Sequence, residues 1–281
     1  MKYMISARDL AVTRGTAAFM VCRFRRHNNA LIGLHFDNHY ERLVLSCEAA
    51  GIYAARNALD IVDLPWKILM HWPNDDLVDG VVRLIVTGGE SPDSVNSVQG
   101  EERIIISIDP YKPPLSQPLT LQLVRGKHQV PHVKITGKYA IPKMYRDEAR
   151  RKGYDDILFW HDNDFITESF SANFFVIFDN TLFTPKMDVL HGVTRKIALA
   201  LAKQSGLFED VVEVAYCVPH CYDQSAEAFL TSTTRGIMPV VKISEGVGLR
   251  SWAFKTGHDT KTAKLQELYN EYVERYFFHG K

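Results

Sequence analysis

The stretch that decides the fold is ITESFSANFFVIFDNTLF, residues 166–183. Residues 173–178 and 181–183 are short runs rich in aromatic and β-branched residues, and such runs predict β-strands. Only Asp179 and Asn180 separate the two runs, and this pair is typical of a tight hairpin turn. We therefore predict a β-hairpin at this point of the chain.

Helices and strands are mixed on both sides of this hairpin. Apolar residues at helical spacing, or charged runs that end at a glycine, predict helices, whereas short β-branched runs predict strands. The predicted helices are 38–51, 143–152, 194–205 and a last one over 265–276, and the further predicted strands are 83–87, 103–108, 119–123, 156–160 and 228–232. Neither half shows the regular alternation of a barrel or a doubly wound sheet, so we predict a mixed α/β (α+β) fold.

The best candidate for a linker combines residues 112–117 with residues 125–131. It contains two adjacent prolines and later a glycine break at residues 126–128, and both features interrupt regular structure. We therefore predict a small N-terminal α/β domain over residues 1–120 and a larger C-terminal α/β domain over residues 130–281.

Composition excludes several classes of protein. The 281 residues include 33 Lys and Arg against 33 Asp and Glu, so the basic excess of a nucleic-acid or membrane-surface binder is missing. The hydrophobic fraction of 46% is too high for a disordered chain. We expect no signal peptide, because the N-terminus lacks an apolar segment, and the apolar runs are too short to span a bilayer. Four cysteines do not make a disulfide framework in a chain of this length, so we expect a cytoplasmic protein.

Familiar catalytic signatures are missing from the sequence. It contains neither a glycine-rich nucleotide loop nor a hydrolase nucleophile elbow. Cys217, His220 and Cys221 resemble a metal-binding run but lack a second pair of ligands, so we predict a loop with buried thiols and no metal site. His35 and His39 are expected at the surface or at a helix cap. These features alone indicate only a cytosolic α/β protein.

Five short blocks, taken in order, carry more information. They are VKITGKY (133–139), EARRKGYDDIL (148–158), ITESFSANFF (166–175), GVTR (192–195) and FLTSTTRGIMPV (229–240). Together they resemble the class IV aminotransferases, the fold-type IV enzymes that use pyridoxal 5′-phosphate. That family includes branched-chain aminotransferases, D-amino acid aminotransferases and aminodeoxychorismate lyases. In the N-terminal half, HYERL (39–43) resembles the family's phosphate-arginine helix.

The resemblance implies a cofactor and roles for two residues. Pyridoxal phosphate is an electron sink, and a lysine must hold its aldehyde as an imine and later carry a proton. The matching residue is Lys134, whose amine needs a lowered pKa for this work, whereas Lys138 lies outside the matching position. A carboxylate must keep the pyridine nitrogen protonated, and the matching residue is Glu168.

The resemblance also implies a phosphate site. Arg42 would contact the phosphate with two guanidinium nitrogens. Val193 and Thr194 would offer backbone N–H groups at a helix N-terminus, where the helix dipole favours an anion, and Thr233 would add a hydroxyl. Tyr139 is expected close to the cofactor, at its ring oxygen or at the lysine.

The sequence departs from the family's pattern in RGTAAFM, residues 14–20. Thr16 and Ala17 replace an Asp and a Gly, and Met20 replaces the common acid. This turn borders the substrate pocket in relatives, and Phe19 is the only part of the pocket edge that we carry over.

Residues expected near the substrate also differ. Asp93 and Val95 stand where D-amino acid aminotransferases have an arginine and a histidine that clamp a carboxylate. Because an acid repels a carboxylate, we disfavour that activity. Arg83 falls where branched-chain enzymes have an arginine and lyases often a lysine. Thr234 is a further substrate candidate.

The resemblance therefore implies a two-domain, D-amino acid aminotransferase-like fold with the cofactor between the domains, and relatives are homodimers or larger. The expected activity is transfer of an amino group between an amino acid and a 2-oxo acid. The alternatives are an aminodeoxychorismate-type lyase that releases pyruvate and a non-catalytic relative. The amino donor, its stereochemistry and the oligomer size stay open.

Overall fold

The computed structural model describes most of the chain. The described residues are 5–27, 30–52, 64–70, 72, 76–93, 95–98, 101–114, 117–161, 165–215 and 225–279. The metal-like run 217–221 lies outside them. The chain divides into two compact units: the first comprises Met1–Lys112, Val133–Ala140 and Tyr276–Lys281, and the second Pro113–His132 and Ile141–Arg275.

Helices and strands alternate irregularly along the described chain. The helices are α1 Leu10–Thr13, α2 Phe36–Ala49, α3 Leu64–Met70, α4 Ala140–Arg151, α5 Val193–Ser205 and α6 Lys261–His279, with a 3-10 turn over Thr136–Tyr139. The strands are β1 Ala17–His27, β2 Ala30–Gly33, β3 Asp79–Thr87, β4 Ile104–Pro110, β5 Leu119–Arg125, β6 Asp156–His161, β7 Phe165–Ser169, β8 Asn173–Phe178, β9 Thr181–Pro185, β10 Asp210–Val214, β11 Glu227–Ser232, β12 Gly236–Ser244 and β13 Ser251–Ala253. The prediction of a mixed α/β fold is confirmed.

The first unit contains a four-stranded antiparallel sheet in the order β2-β1-β3-β4. Side chains alternate between the two faces of a strand, so Met20 and Phe24 of β1 share one face. That face is fully buried and packs with Leu43 and Cys47 of α2 in one hydrophobic cluster. The opposite face of β1 is half-buried from Phe19 to Arg25.

The second unit contains a nine-stranded mixed sheet. Its order is β10-β9-β8-β11-β12-β5-β6-β7, and β13 pairs with β12. β7 also pairs with β8 through Glu168 and Asn173, so the six strands from β8 to β7 close on themselves. The inner residues of these strands, such as Phe174, Leu230 and Leu121, are completely buried.

The predicted hairpin is confirmed. β8 and β9 are antiparallel, and Asp179 and Asn180 between them have φ values of 47° and 60°. Both therefore adopt the left-handed region that the tightest hairpin turn requires, and Asp and Asn tolerate this region better than most residues. Gly153 and Gly206 also have positive φ, just after the helices that we expected them to end.

Residues 133–140, which carry Lys134, belong to the first unit, whereas we expected them in the second domain. The backbone N–H of Lys134 donates to Ser46 Oγ at 3.0 Å, and the N–H of Phe19 donates to the Lys134 carbonyl at 3.0 Å. These hydrogen bonds return the chain to the first sheet after the linker. A stretch with the composition of a linker shows where the chain leaves a compact unit. It does not show that the chain later returns to the same unit.

The altered turn before β1 keeps its glycine. Gly15 has a φ of 68°, and a Cβ there would lie 2.8 Å from the Cα of Gly137. Only glycine allows the two backbones to approach so closely. The changes at Thr16 and Ala17 therefore leave the contact between this turn and the 3-10 turn intact.

The end of α6 gives a first testable prediction. Phe277 is 2% exposed, and the guanidinium carbons of Arg23 and Arg25 lie 5.3 and 4.6 Å from its ring centroid. We expect Phe277→Ala to lower the free energy of unfolding by about 3–5 kcal/mol, because a large buried ring is removed. Chemical denaturation measures the change. Phe278 is 80% exposed, so Phe278→Ala is the control and should change stability by less than about 0.5 kcal/mol.

Candidate active site

The Lys134 side chain lies beside two aromatic residues of the first unit. Its Nζ donates a hydrogen bond to the Tyr139 hydroxyl at 3.3 Å and lies 4.7 Å from the centre of the Phe19 ring. The 3-10 turn Thr136–Tyr139 brings the tyrosine back beside the lysine five residues earlier. The two rings contact each other edge to face, with centroids 5.5 Å apart. The amine is therefore held at a defined position by two aromatic side chains.

Ser46 joins this lysine to α2. Its buried hydroxyl accepts the backbone N–H of Lys134 at 3.0 Å and donates to the carbonyl of Arg42 at 2.7 Å. Two of the predicted site residues are thus connected through one side chain. Ser46 was missed in the sequence, although its position four residues after Arg42 places it on the same helix face.

His39 orients the Arg42 guanidinium. Arg42 Nη2 lies 3.3 Å from His39 Nδ1, and His39 is 1% exposed. Burial holds the pKa of His39 well below its ordinary value, and the nearby charges of Arg42 and Lys134 lower it further. A neutral imidazole can accept the guanidinium N–H through Nδ1. The expectation that His39 lies at the surface or at a helix cap is wrong, because it faces the core from the first turn of α2.

Glu168 is a buried carboxylate in the second unit. It is 4% exposed, and its Oε2 accepts the backbone N–H of Leu190 at 2.9 Å and the Asn173 side-chain amide at 3.4 Å. His128 Nε2 lies 4.0 Å from its Oε1. Fixed donors around a carboxylate hold it in one orientation. Glu168 is therefore suited to face a cationic group.

The start of α5 lies close to this carboxylate. Gly192 is the N-cap, so the N–H groups of Val193 and Thr194 stand at the helix N-terminus, and both residues are nearly fully buried. Asn173 Nδ2 donates to the Leu190 carbonyl at 2.7 Å, and a Cβ on Gly192 would lie 2.2 Å from Asn173 Oδ1. Asn173 therefore connects the Glu168 carboxylate to the loop that begins α5.

The last two residues of β11 have hydroxyls that need a partner. Thr231 Oγ1 and Ser232 Oγ are buried and make no hydrogen bond within the described residues. Buried hydroxyls are rarely left in this state, so an acceptor or donor is expected beside them. The predicted residues Thr233 and Thr234 follow immediately and are half-buried. Thr231 and Ser232 were not among the predicted contacts, although they lie in the same sequence block.

Asp93 and Arg83, the two charged residues discussed for the substrate side, have different settings. Asp93 accepts hydrogen bonds from the Ser91 hydroxyl at 2.6 Å and from the backbone N–H groups of Val95 and Asn96, each at 2.9 Å. These donors lower the pKa of Asp93 and bind its carboxylate within its own loop. Arg83 is exposed on β3 and forms an ion pair with Asp109 of β4.

The structure thus brings the predicted residues together in two sets. In the first unit, Lys134, Tyr139 and Phe19 are in mutual contact, and Ser46 joins Lys134 to Arg42. In the second unit, Asn173 and Leu190 tie Glu168 to the start of α5.

A family model describes most of this chain. The model for amino-transferase class IV matches residues 18–243. The chain belongs to the class IV aminotransferase family. The matched region contains β1, the aromatic lysine setting, the buried carboxylate and the start of α5.

Individual relatives agree with this membership. A probable branched-chain-amino-acid aminotransferase of Rickettsia typhi is 30% identical over 186 residues, which cover 64% of this chain and 63% of that protein. The chain thus spans a little under two thirds of the length of this curated relative.

Solved structures share the fold. A branched-chain aminotransferase from Thermoproteus uzoniensis with norvaline has a TM-score of 0.79 at 21% identity and covers 97% of this chain and 90% of its own. A putative 4-amino-4-deoxychorismate lyase from Legionella pneumophila has a TM-score of 0.78 at 22% identity, with 96% of each chain covered. At these identities the likeness shows the fold and does not distinguish a transferase from a lyase. The helices described here are too short or too polar to cross a membrane.

The residues present in this class IV aminotransferase chain fit pyridoxal phosphate. The first unit offers an amine beside a tyrosine hydroxyl and an oriented guanidinium. The second unit offers a buried carboxylate, a helix N-terminus and two buried hydroxyls that lack partners in the described structure. An aldehyde, a phosphate and a ring nitrogen need these donors and acceptors.

Ser46 allows a prediction about cofactor retention. Ser46→Ala removes the hydrogen bond that connects Lys134 to α2 and the one to the Arg42 carbonyl, and we expect it to weaken pyridoxal phosphate binding about tenfold. Titration of the stripped protein with cofactor measures the change. The control is Ser205→Ala, because Ser205 also donates to a helix carbonyl, at 2.9 Å, and accepts an N–H, at 3.1 Å, but touches none of the predicted site residues. Equal affinities for both variants would contradict a role for Ser46 in the site.

Proposed function

We propose that this chain is a pyridoxal-phosphate-dependent aminotransferase that moves an amino group between an amino acid and a 2-oxo acid. The observation that carries the proposal is the Lys134 amine, which lies 3.3 Å from a tyrosine hydroxyl and against the Phe19 ring, in a chain of this family. Bound pyridoxal phosphate supplies an electron sink for the bond that breaks at the substrate Cα.

Residues of the first unit would hold the cofactor and transfer the proton. Lys134 would hold the cofactor aldehyde covalently, and its released Nζ would carry the proton to and from the substrate. The Tyr139 hydroxyl, at 3.3 Å, would keep that amine oriented when it is free. The Arg42 guanidinium, oriented by His39, would bind two phosphate oxygens.

Residues of the second unit would set the electronics and bind the phosphate. Glu168 would hold a proton on the ring nitrogen, because a carboxylate nearby raises the pKa of that nitrogen. The N–H groups of Val193 and Thr194 and the hydroxyl of Thr233 would bind the phosphate. The buried hydroxyls of Thr231 and Ser232, which make no hydrogen bond within the described residues, would donate to the same phosphate.

Half-reaction spectroscopy tests the proposal. The cofactor-loaded protein is mixed with a panel of L- and D-amino acids, and the absorbance band of the lysine-linked cofactor is followed. We expect the band to disappear with at least one amino acid and to return when a 2-oxo acid is added. A protein that never shows the band would contradict the proposal. Turnover with any pair of substrates would exclude a non-catalytic relative.

The lyase alternative is tested separately. In the sequence, Met20 replaces a common acid, and this loss leaves room for a lyase. Met20 is completely buried on the face of β1 opposite to Phe19, and so it does not border the Lys134 amine. Release of pyruvate from aminodeoxychorismate without an added oxo acid would favour the lyase over the transferase. The homodimer and the cytoplasmic location stay predictions.

A further inference from the structure

His128 lies buried close to Glu168 in the second unit. It follows β5 in the chain, and the N–H of Gly126 donates to the Trp160 carbonyl at 2.8 Å, so the pairing of β5 with β6 continues to this point. His128 is 1% exposed, and its ring contacts the Phe159 ring edge to face, with centroids 5.2 Å apart. A buried ring that is packed in this way keeps one orientation.

The Nε2 atom of this ring must carry a hydrogen. It lies 3.3 Å from the carbonyl oxygen of Ser169 and 3.2 Å from that of Phe170. Carbonyl oxygens accept hydrogen bonds but cannot donate them, so either bond requires an N–H at Nε2. One N–H shared between two carbonyls is a three-centre hydrogen bond. His128 is therefore a fixed donor to the two residues that directly follow Glu168.

Those two residues belong to a tight reversal of the chain. Ser169 ends β7, and its N–H donates to the Ala172 carbonyl at 2.9 Å. Asn173, the first residue of β8, is the sheet partner of Glu168. The hydrogen bonds of His128 join this turn to the end of β5, 41 and 42 residues earlier in the chain. Without that donor the turn can shift, and Glu168 shifts with it.

The Glu168 carboxylate has neighbours at both oxygens. Its Oε2 accepts the N–H of Leu190 at 2.9 Å, and its Oε1 lies 4.0 Å from His128 Nε2. The second distance is too long for a hydrogen bond but short enough for an N–H group to attract a carboxylate oxygen. A carboxylate held at one oxygen can turn about that point, whereas contacts at both oxygens fix its plane.

We propose that His128 is a positioning residue that keeps the Glu168 carboxylate directed at the pyridine nitrogen of pyridoxal phosphate. The inference rests on the proposed function, in which Glu168 holds a proton on that nitrogen. His128 acts through Glu168 and through the turn after it, and is assigned no contact of its own with the cofactor. Its effect is therefore confined to ligands that have the ring nitrogen.

A comparison of two ligands tests the inference. The stripped full-length protein is titrated with pyridoxal phosphate and with deazapyridoxal phosphate, which has a C–H group in place of the ring nitrogen, and the absorbance of each ligand reports binding. His128→Leu removes the N–H donor. We expect its affinity for pyridoxal phosphate to fall about tenfold, and its affinity for the analogue to change less than about twofold.

His128→Gln is the matched control. It loses the same ring contact with Phe159, but its amide nitrogen can occupy the position of Nε2 and donate to the same carbonyls. We expect it to keep the wild-type ratio of the two affinities within about twofold. If His128→Leu fails to fold, as circular dichroism would show, His128→Asn replaces it, because its shorter amide does not reach the two carbonyls and should lower the ratio likewise.

A double variant checks that the effect passes through the carboxylate. Glu168→Gln alone should lower the ratio of the two affinities, because it removes the partner of the ring nitrogen. Adding His128→Leu to Glu168→Gln should lower that ratio no further, since a positioning residue has no effect once the group it positions is gone. A further fall would overturn the inference.

The other outcomes separate this inference from the proposed function. If the wild-type protein prefers pyridoxal phosphate and His128→Leu keeps that preference, the role of His128 alone is overturned. Equal losses for both ligands, or a fall in His128→Gln as large as in His128→Leu, overturn it as well. Equal affinity of the wild-type protein for both ligands overturns the role of Glu168 and this inference with it. A wild-type protein that never shows the lysine-linked band overturns the proposed function too.

Discussion

Replacement of Lys134 by alanine is expected to abolish the absorbance band of the lysine-linked cofactor and to slow amino-group transfer by at least about 10³-fold. Both effects are expected because one amine has two roles. The same Nζ that would bind the aldehyde covalently would also carry the proton, and the Tyr139 hydroxyl beside it, at 3.3 Å, is too weak a base to replace it. Absorbance of the cofactor-loaded variant and single-turnover rates measure both losses.

A second lysine provides a sharp control. Lys138 is only 5% exposed, and its Nζ lies 5.6 Å from the centre of the Tyr139 ring. It is therefore the nearest alternative in the sequence for covalent attachment. We expect Lys138→Met to keep the absorbance band. Reduction of the loaded wild-type protein with borohydride, followed by peptide mapping, should place the cofactor on Lys134. Label on Lys138 would disprove the assignment.

Local patterns in the sequence were sufficient for several elements of the fold. The hairpin of β8 and β9 was predicted because its turn residues and its apolar runs are adjacent in the chain. β1 was not predicted as a strand, although it is 11 residues long. Its buried positions alternate with arginines such as Arg23 and Arg25, and cysteine and alanine in the core face weaken the contrast in hydrophobicity. The strand is nevertheless stable because both neighbours in the sheet pair with it.

The supporting residues of the site depend on contacts that local patterns do not contain. The hydrogen bond between Lys134 and Ser46 joins positions 88 residues apart, and that between Asn173 and Leu190 joins positions 17 apart. A resemblance to family blocks identifies the residues with distinctive chemistry. It does not identify a serine or an asparagine whose role is to hold another residue in place, because these types are common in helices, turns and strands alike.

Glu168→Gln is expected to slow the half-reaction by about 10²-fold or more while leaving the cofactor attached. Glutamine preserves the size of the side chain, and its oxygen can still accept the backbone N–H of Leu190, which lies 2.9 Å from the carboxylate. It removes the negative charge, however, and a neutral amide does not raise the pKa of a ring nitrogen. The electron sink is then weaker, so the rate of Cα proton loss falls more than the affinity for the cofactor. Stopped-flow absorbance with a reactive amino acid measures the rate.

The matched control is a second buried glutamate in the same unit. Glu227 is 7% exposed, and its carboxylate accepts the N–H groups of Lys261 and Thr262 at 3.0 and 2.7 Å, which caps the start of α6. Glu227→Gln makes the same chemical change, and we expect it to cost about 0.5–2 kcal/mol of stability without altering the half-reaction. If both variants slowed the half-reaction equally, the effect would come from loss of a buried charge in general. If neither did, Glu168 would be a structural carboxylate, and the ring nitrogen would need a different partner.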